Sequence, residues 1–192
     1  MKWVFCTHNQ HKLEEVRQIL GPQIDFLTLT DIDFHEEIPE PYYTLEENST
    51  TKAMTVFKQK GMDCFAEDTG LFVEALDGQP GVQTARYAGE QANAAMNNEK
   101  LLNALNGIEN RNAYFKTIIT LILHGVVHQF TGICEGKIAE QLSGQKGFGY
   151  DPLFMPDGYH ITFADMPSSE KHRISHRSKA FEQFADFVRQ LN

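Results

Sequence analysis

Two long β-prone runs, residues 113–123 and 126–139, stand on either side of His124-Gly125. Apolar and β-branched side chains fill both, and a two-residue turn carrying glycine joins such runs as a hairpin. The chain is thereby committed to a sheet, and the rest of the sequence supplies helices to cover it. Residues 2–7 read as a strand. Residues 9–20 follow as a helix that carries Leu13, Val16, Ile19 and Leu20 on one face, ended by Gly21-Pro22. Residues 24–29 predict a second strand, and residues 30–43, acidic and Pro-containing, a loop. Residues 45–60 predict a helix through Ala53, Val56 and Phe57. Two short strands, 64–67 and 71–75, are expected to be interrupted at Asp68-Thr69-Gly70, with a turn over 78–81 that contains Pro80. A helix over 93–105 uses Ala94, Leu101, Leu102 and Leu105 and stops near Gly107. Residues 144–150 are Gly-rich and read as loop. A last helix over 178–191 places Ala180, Phe181, Phe184, Phe187, Val188 and Leu191 on one face, with Ser178 as candidate cap. No repeat or linker divides the 192 residues, which are read as one domain over 1–192, large enough for two lobes.

Bulk properties narrow the function. With 41% hydrophobic and 22% charged residues, the chain has the balance of an ordinary soluble globular protein. A net charge of −9 repels polyanions and argues against nucleic acid or an anionic membrane as partner. A small phosphorylated substrate remains open, provided that local cations and a metal ion offset the background. Cys6, Cys64 and Cys134 are far apart and unpaired in number, so neither a disulfide framework nor a zinc site is expected, and a reducing compartment fits. The longest apolar run, 117–123, is too short to span a bilayer, and Met1-Lys2-Trp3-Val4 leads into a strand without a cleavable signal. A cytoplasmic location is the expectation.

Four constellations could carry chemistry. Thr7-His8-Asn9-Gln10-His11-Lys12 lies at a strand-to-helix turn. There a helix N-terminus offers N–H groups, and Thr7, Asn9 and Lys12 add donors to make an anion pocket; a plain helix cap with a solvated lysine is the simpler account. The acidic set Glu36, Glu37, Glu40, Glu46, Glu47, Glu67 and Asp68 offers hard oxygen ligands of the kind magnesium takes one or two at a time. A solvated loop accounts for Glu36, Glu37 and Glu46, whereas Asp68, flanked by Phe65-Ala66 and Leu71-Phe72-Val73, needs a partner. Gly147-Phe148-Gly149-Tyr150-Asp151-Pro152 allows a flat ligand to approach, with Phe148 or Tyr150 stacking and the Asp151 carboxylate or a backbone N–H reading its edge. Lys171-His172-Arg173-Ile174-Ser175-His176-Arg177 reads as a local positive patch able to grip phosphate or purine acceptors, against the alternative of a solvated basic turn.

Taken in order, these blocks resemble the inosine triphosphate pyrophosphatase family, the non-standard purine triphosphatases. The resemblance runs nearly end to end. It includes Thr7–Val16, Ile38-Pro39-Glu40, Glu47-Asn48, Lys52-Ala53, Glu67-Asp68-Thr69-Gly70-Leu71, Pro80-Gly81-Val82, Ala85-Arg86-Tyr87-Ala88-Gly89, the Gly147–Pro152 loop and Ser175-His176-Arg177. His8 stands where many relatives carry Gly or Asn, and Thr69 replaces a common Ser.

The resemblance implies an α/β fold with an extended mixed sheet flanked by helices, its two lobes around a central cleft, and a homodimer. It implies that Thr7, His8, Asn9, Gln10, His11 and Lys12 form the triphosphate-binding turn, with Lys52 reaching phosphate. Glu40 and Asp68 would bind Mg2+, Asp68 would also activate water, and Asp68, Lys12 and Lys52 form the catalytic set. Thr69 would lie beside the substrate. Phe148, Gly149, Tyr150 and Asp151 would hold the base, and Lys171, His176 and Arg177 would select the purine and close the site. The expected activity is hydrolysis of inosine, deoxyinosine and xanthosine triphosphates to monophosphate and pyrophosphate. The rivals are a pyrophosphatase for other modified nucleotides and a nucleotide sensor without turnover; a water-activating carboxylate such as Asp68 argues against the sensor.

Overall fold

Alternation along the central strands decides which helices cover them. The computed structural model describes residues 3–191. Strand β1 (Trp3–Phe5) pairs in parallel with β2 (Phe26–Thr28) and with β3 (Cys64–Val73), in the registers Trp3 to Phe26 and Val4 to Cys64. Side chains alternate between the two faces of a strand, so Trp3, Phe5 and Phe65 point one way and Val4, Cys6, Cys64 and Ala66 the other. With β4 (Pro80–Gly81), β5 (Asn112–Leu123), β6 (Val126–Ile138) and β7 (Phe154–Pro156), the sheet has seven strands in the order β2-β1-β3-β5-β6-β7, with β4 on β3. It is mixed: β3–β4 and β6–β7 are antiparallel.

The chain forms two compact units. The first takes the residues up to Asp68, Thr117–Gly132, and those from Arg177 onward; the second takes Thr69–Lys116 and Ile133–His176. In the first, Trp3, Phe5, Phe65, Ile119 and Leu121 pack against Leu13, Val16 and Leu20 of α1 (Gln10–Leu20) and Phe181, Phe184 and Val188 of α5 (His176–Arg189). Phe5 stacks on Phe65 at 4.7 Å, and Phe181 meets both edge-on, a geometry that adds to simple burial. Ala53 and Val56 of α2 (Leu45–Lys60) cover the opposite face with Leu29 and Phe34. Ser49, fully buried on α2, donates to Thr120 Oγ1 of β5 at 2.8 Å and fixes that helix along the sheet. In the second unit, Leu101 and Leu105 at the end of α3 (Ala94–Ala104) pack with Leu71, Val73, Phe115, Ile138, Phe154 and Phe163. A fifth helix, α4 (Ser168–Ile174), completes that unit.

Helices α1, α2 and α3, the loop 30–43 and the hairpin turn at His124-Gly125 stand where the sequence predicts them, and α2 matches residue for residue. Lys2, within the predicted first strand, lies outside the described residues. Four expectations are corrected. Asp68-Thr69-Gly70 does not interrupt a strand: β3 runs unbroken from Cys64 to Val73. Gly70 is there for close approach, since a Cβ would sit 2.7 Å from the Gly81 carbonyl oxygen on β4. The last helix starts at His176, so Ser178 is inside it and does not stand at its N-cap position. Strand β7 and helix α4 carry too few periodic positions to be read from sequence, and Lys171–Ile174, read as part of a positive patch with no element assigned, belong to α4. Leu191, expected on the apolar face of the last helix, is largely exposed.

Candidate active site

In the first unit the turn 7–12 is built as its residue types dictate. The Asn9 side chain accepts from Lys12 N–H at 3.1 Å, which caps α1, and Thr7 Oγ1 accepts from Asn9 N–H at 3.1 Å. His8, Gln10 and His11 are exposed, and His8 Nε2 lies 3.1 Å from the Glu36 carbonyl oxygen. The helix-cap account holds for Asn9, Lys12 pairs with Glu67 at 3.1 Å and is not a solvated lysine, and the exposed first turn is the positive end of α1.

Two ion-pair clusters meet on β3. Lys52 projects from α2 and donates to Glu40 Oε1 at 2.6 Å and to Asp68 Oδ1 at 2.9 Å. One buried ammonium thus draws two carboxylates together. Burial disfavours its charge, but Asp68 and then Glu40 outweigh that and raise Lys52 above the ordinary lysine value. Burial pushes the Asp68 carboxyl up, and the Lys52 and Lys12 charges offset only part of this. Next along the strand, Glu67 accepts from Arg177 Nε and Nη2 at 2.8 and 2.6 Å, a bidentate pair, and from Lys12 at 3.1 Å. Glu15 of α1 takes Arg177 Nη1 at 2.5 Å. Burial would raise Glu67, yet Arg177 and then Lys12 hold it far below the usual carboxylate range.

In the second unit Asp151 organises the glycine-rich loop. Its Oδ2 accepts from Phe148 N–H and from Lys171 Nζ, both at 2.8 Å. Gly147 makes this possible, because a Cβ there would lie 2.0 Å from that same oxygen. Lys171 Nζ also sits over the Phe148 ring at 5.4 Å. The Tyr150 ring is part of the core, its hydroxyl donating to the Thr84 carbonyl at 2.9 Å, which leaves half-buried Phe148 as the ring available for stacking. His176 stacks on Phe115 at 4.5 Å.

The structure thus brings Lys12, Glu40, Lys52, Asp68 and Arg177 together in the first unit, and Phe148, Asp151 and Lys171 in the second. Thr69, half-buried, opens the second unit directly after Asp68. The basic stretch 171–177 is not a positive surface patch: Lys171, His176 and Arg177 are buried, and both Lys171 and Arg177 face carboxylates. Such charges enter a core only when paired.

Sequence reasoning missed three residues, Glu15, Asn48 and Asn98, and placed Glu67 among candidate metal ligands rather than opposite a cation. Glu67 and Glu15 anchor Arg177. Asn48, fully buried one helical turn before Lys52, receives Tyr42 N–H at 3.0 Å and donates to the Tyr42 carbonyl at 3.1 Å, clamping the segment after Glu40 to α2. Asn98 donates to the Gly149 carbonyl at 3.0 Å. The available signal was an amide on the inward face of a helix, where burial demands a partner.

Glu40 and Asp68 fit a magnesium ion as donors: they are hard carboxylates converging on one point, and magnesium needs only one or two such ligands beside water and phosphate. Among the described residues no cluster of three or more His, Cys, Asp or Glu side chains could hold a metal alone.

Comparison with known proteins identifies the family. The model of the Ham1 family matches residues 3–187. The dITP/XTP pyrophosphatase of Christiangramia forsetii is 48% identical over 98% of this chain and 99% of its own. That of Flavobacterium johnsoniae is 49% identical over 98% of each. Among solved structures, the Staphylococcus aureus Ham1 protein superposes with a TM-score of 0.91 at 32% identity, covering 100% of both chains. A HAM1 protein from Coxiella burnetii does so with a TM-score of 0.91 at 34% identity over 99% of each. With its whole length matched in sequence and in fold, this chain belongs to the Ham1 family.

Proposed function

We propose that this protein is a magnesium-dependent pyrophosphatase that hydrolyses deaminated purine nucleoside triphosphates, ITP, dITP and XTP, to the monophosphate and pyrophosphate, clearing them from the nucleotide pool. Relatives named dITP/XTP pyrophosphatase support the reaction and the purine class. The observation that carries the chemistry is the buried Lys52 ammonium shared by Glu40 and Asp68, with Lys12 close enough to act on Asp68.

Water attacks the α-phosphorus, its bond to the α,β-bridging oxygen breaks, and pyrophosphate departs with that oxygen. Asp68 orients the water and takes its proton; a carboxyl raised by burial is a better base than a solvated aspartate. Lys52 holds Asp68 in place. Lys12 and Lys52 neutralise charge on the leaving pyrophosphate, and the exposed first turn of α1 receives the rest of the triphosphate. Magnesium, held by Glu40 and Asp68, would add neutralisation of the phosphate oxygens.

In the second unit Phe148 stacks on the purine, with Lys171 and Asp151 fixing its loop. Backbone N–H groups of the loop donate to the 6-oxo group. An adenine 6-amino group would leave those donors unpaired in a desolvated site.

Phosphorus NMR of an ITP reaction tests the bond cleaved: inosine monophosphate with pyrophosphate is expected, and the diphosphate with orthophosphate would overturn the proposal. The family resemblance also supports a cytoplasmic homodimer. Sedimentation at micromolar concentration is expected to give twice the 21.8 kDa chain mass, and a monomer throughout would contradict it.

A further inference from the structure

Asn98 lies in the second turn of α3 and is buried. Its Nδ2 donates to the Gly149 carbonyl at 3.0 Å, while its Oδ1, also buried, meets no partner. The adjacent Asn97 differs: it donates to the Ala85 carbonyl at 2.8 Å and accepts from Ala88 N–H at 2.7 Å, so both ends of its amide are used. A buried acceptor with no partner is a penalty that a leucine of similar volume would not carry. The role of Asn98 is therefore the single bond that it makes.

That bond falls on a carbonyl with little else to hold it. Gly149 has φ +62° and open space where a Cβ would stand, and among the described residues no other group donates to its oxygen. The Gly149–Tyr150 peptide is trans, so its C=O and N–H point in opposite directions. With the Gly149 oxygen turned to α3, the Tyr150 N–H is turned away from it. Tyr150 is otherwise tied: its hydroxyl donates to Thr84, and its carbonyl accepts from Leu153 and Phe154 N–H at 2.9 and 3.0 Å. Among the described residues its own N–H has no acceptor. It is a fixed donor on the loop that carries Phe148.

We infer that Asn98 is a specificity-determining positioning residue, holding the Gly149–Tyr150 peptide so that the Tyr150 N–H is presented to the 6-oxo group of the purine. The inference rests on the base-recognition reading given above. Without the Asn98 donor, Gly149 is free to turn and the N–H loses its direction. Catalysis of a bound triphosphate is untouched, but the preference for an oxo over an amino purine weakens.

The test is kcat/KM for ITP and ATP in wild type, Asn98→Leu and Asn98→Asp. Leucine keeps the volume without a donor; aspartate keeps the shape and turns an oxygen toward the carbonyl, and it serves alone should the leucine variant fail to fold. The ITP-to-ATP ratio is expected to fall about tenfold, the order of one lost hydrogen bond, through a drop on ITP with ATP little changed. Equal losses on both substrates, or an unchanged ratio, would reduce Asn98 to a structural role and overturn the inference. A wild type that does not prefer ITP would instead overturn the base-recognition reading itself.

Discussion

Lys52 is an ammonium that burial penalises and two carboxylates retain, and its partners are the side chains on which the proposed reaction depends. Asp68→Asn keeps the size of the side chain and one hydrogen-bond acceptor for Lys52 while removing the base. Turnover is expected to drop by about 10²–10⁴, with circular dichroism and thermal midpoint close to wild type; undiminished turnover would remove Asp68 from its role. Asp68 was legible as a type, because an aspartate between apolar stretches advertises a need, whereas Lys52 came only from the family resemblance. The partners of such buried charges were not legible. Arg177 meets Glu67 across 110 positions, and no local spacing encodes such a pair. Asn48 and Asn98 were hidden for the same reason, since an amide on a helix looks solvated until the segment it clamps is known.

Strand β3 is the element that orders the buried ion pairs of the first unit. Consecutive side chains on a strand alternate in direction, so Glu67 and Asp68 serve different cations, Arg177 with Lys12 and Lys52 respectively. The sequence expectation placed an interruption at Asp68-Thr69-Gly70 between two apolar runs, whereas Gly70 answers to the neighbouring strand. Long periodic elements, α1, α2, α3 and the β5–β6 hairpin, were legible because each satisfies its own period; β7 has three residues and α4 seven, too few to show one. Glu67→Gln is expected to destabilise the protein by about 3–5 kcal/mol at neutral pH, since it strands buried cations. The sign of the pH dependence follows from a folded-state carboxyl held below its unfolded value. Its stabilisation is complete above the ordinary glutamate value near pH 4.5 and is lost as pH falls toward the folded value. Denaturant titrations should therefore show the gap between wild type and Glu67→Gln narrowing below about pH 4.5; a gap that widens on acidification would contradict this.

At the scale of the molecule, a chain of net charge −9 holds Lys12, Lys52 and Lys171 in ion pairs, with Lys52 and Lys171 buried. On the proposed reading, phosphate and water chemistry belong to Lys12, Glu40, Lys52 and Asp68, all of the first unit, and the base to the Phe148–Asp151 loop, which is of the second. Among the described residues no helix is long and apolar enough to cross a membrane. The measurement that bears most directly on this division is a substrate panel, with kcat/KM obtained from pyrophosphate release on ITP, dITP, XTP, ATP and GTP in the presence of magnesium. The three deaminated purine triphosphates are predicted to be favoured over ATP by at least about a hundredfold, as two or more lost hydrogen bonds require, while GTP, which keeps the 6-oxo group and differs from ITP only by its 2-amino group, is rejected less strongly than ATP. Equal rates on ITP and ATP, or release of orthophosphate in place of pyrophosphate, would contradict this.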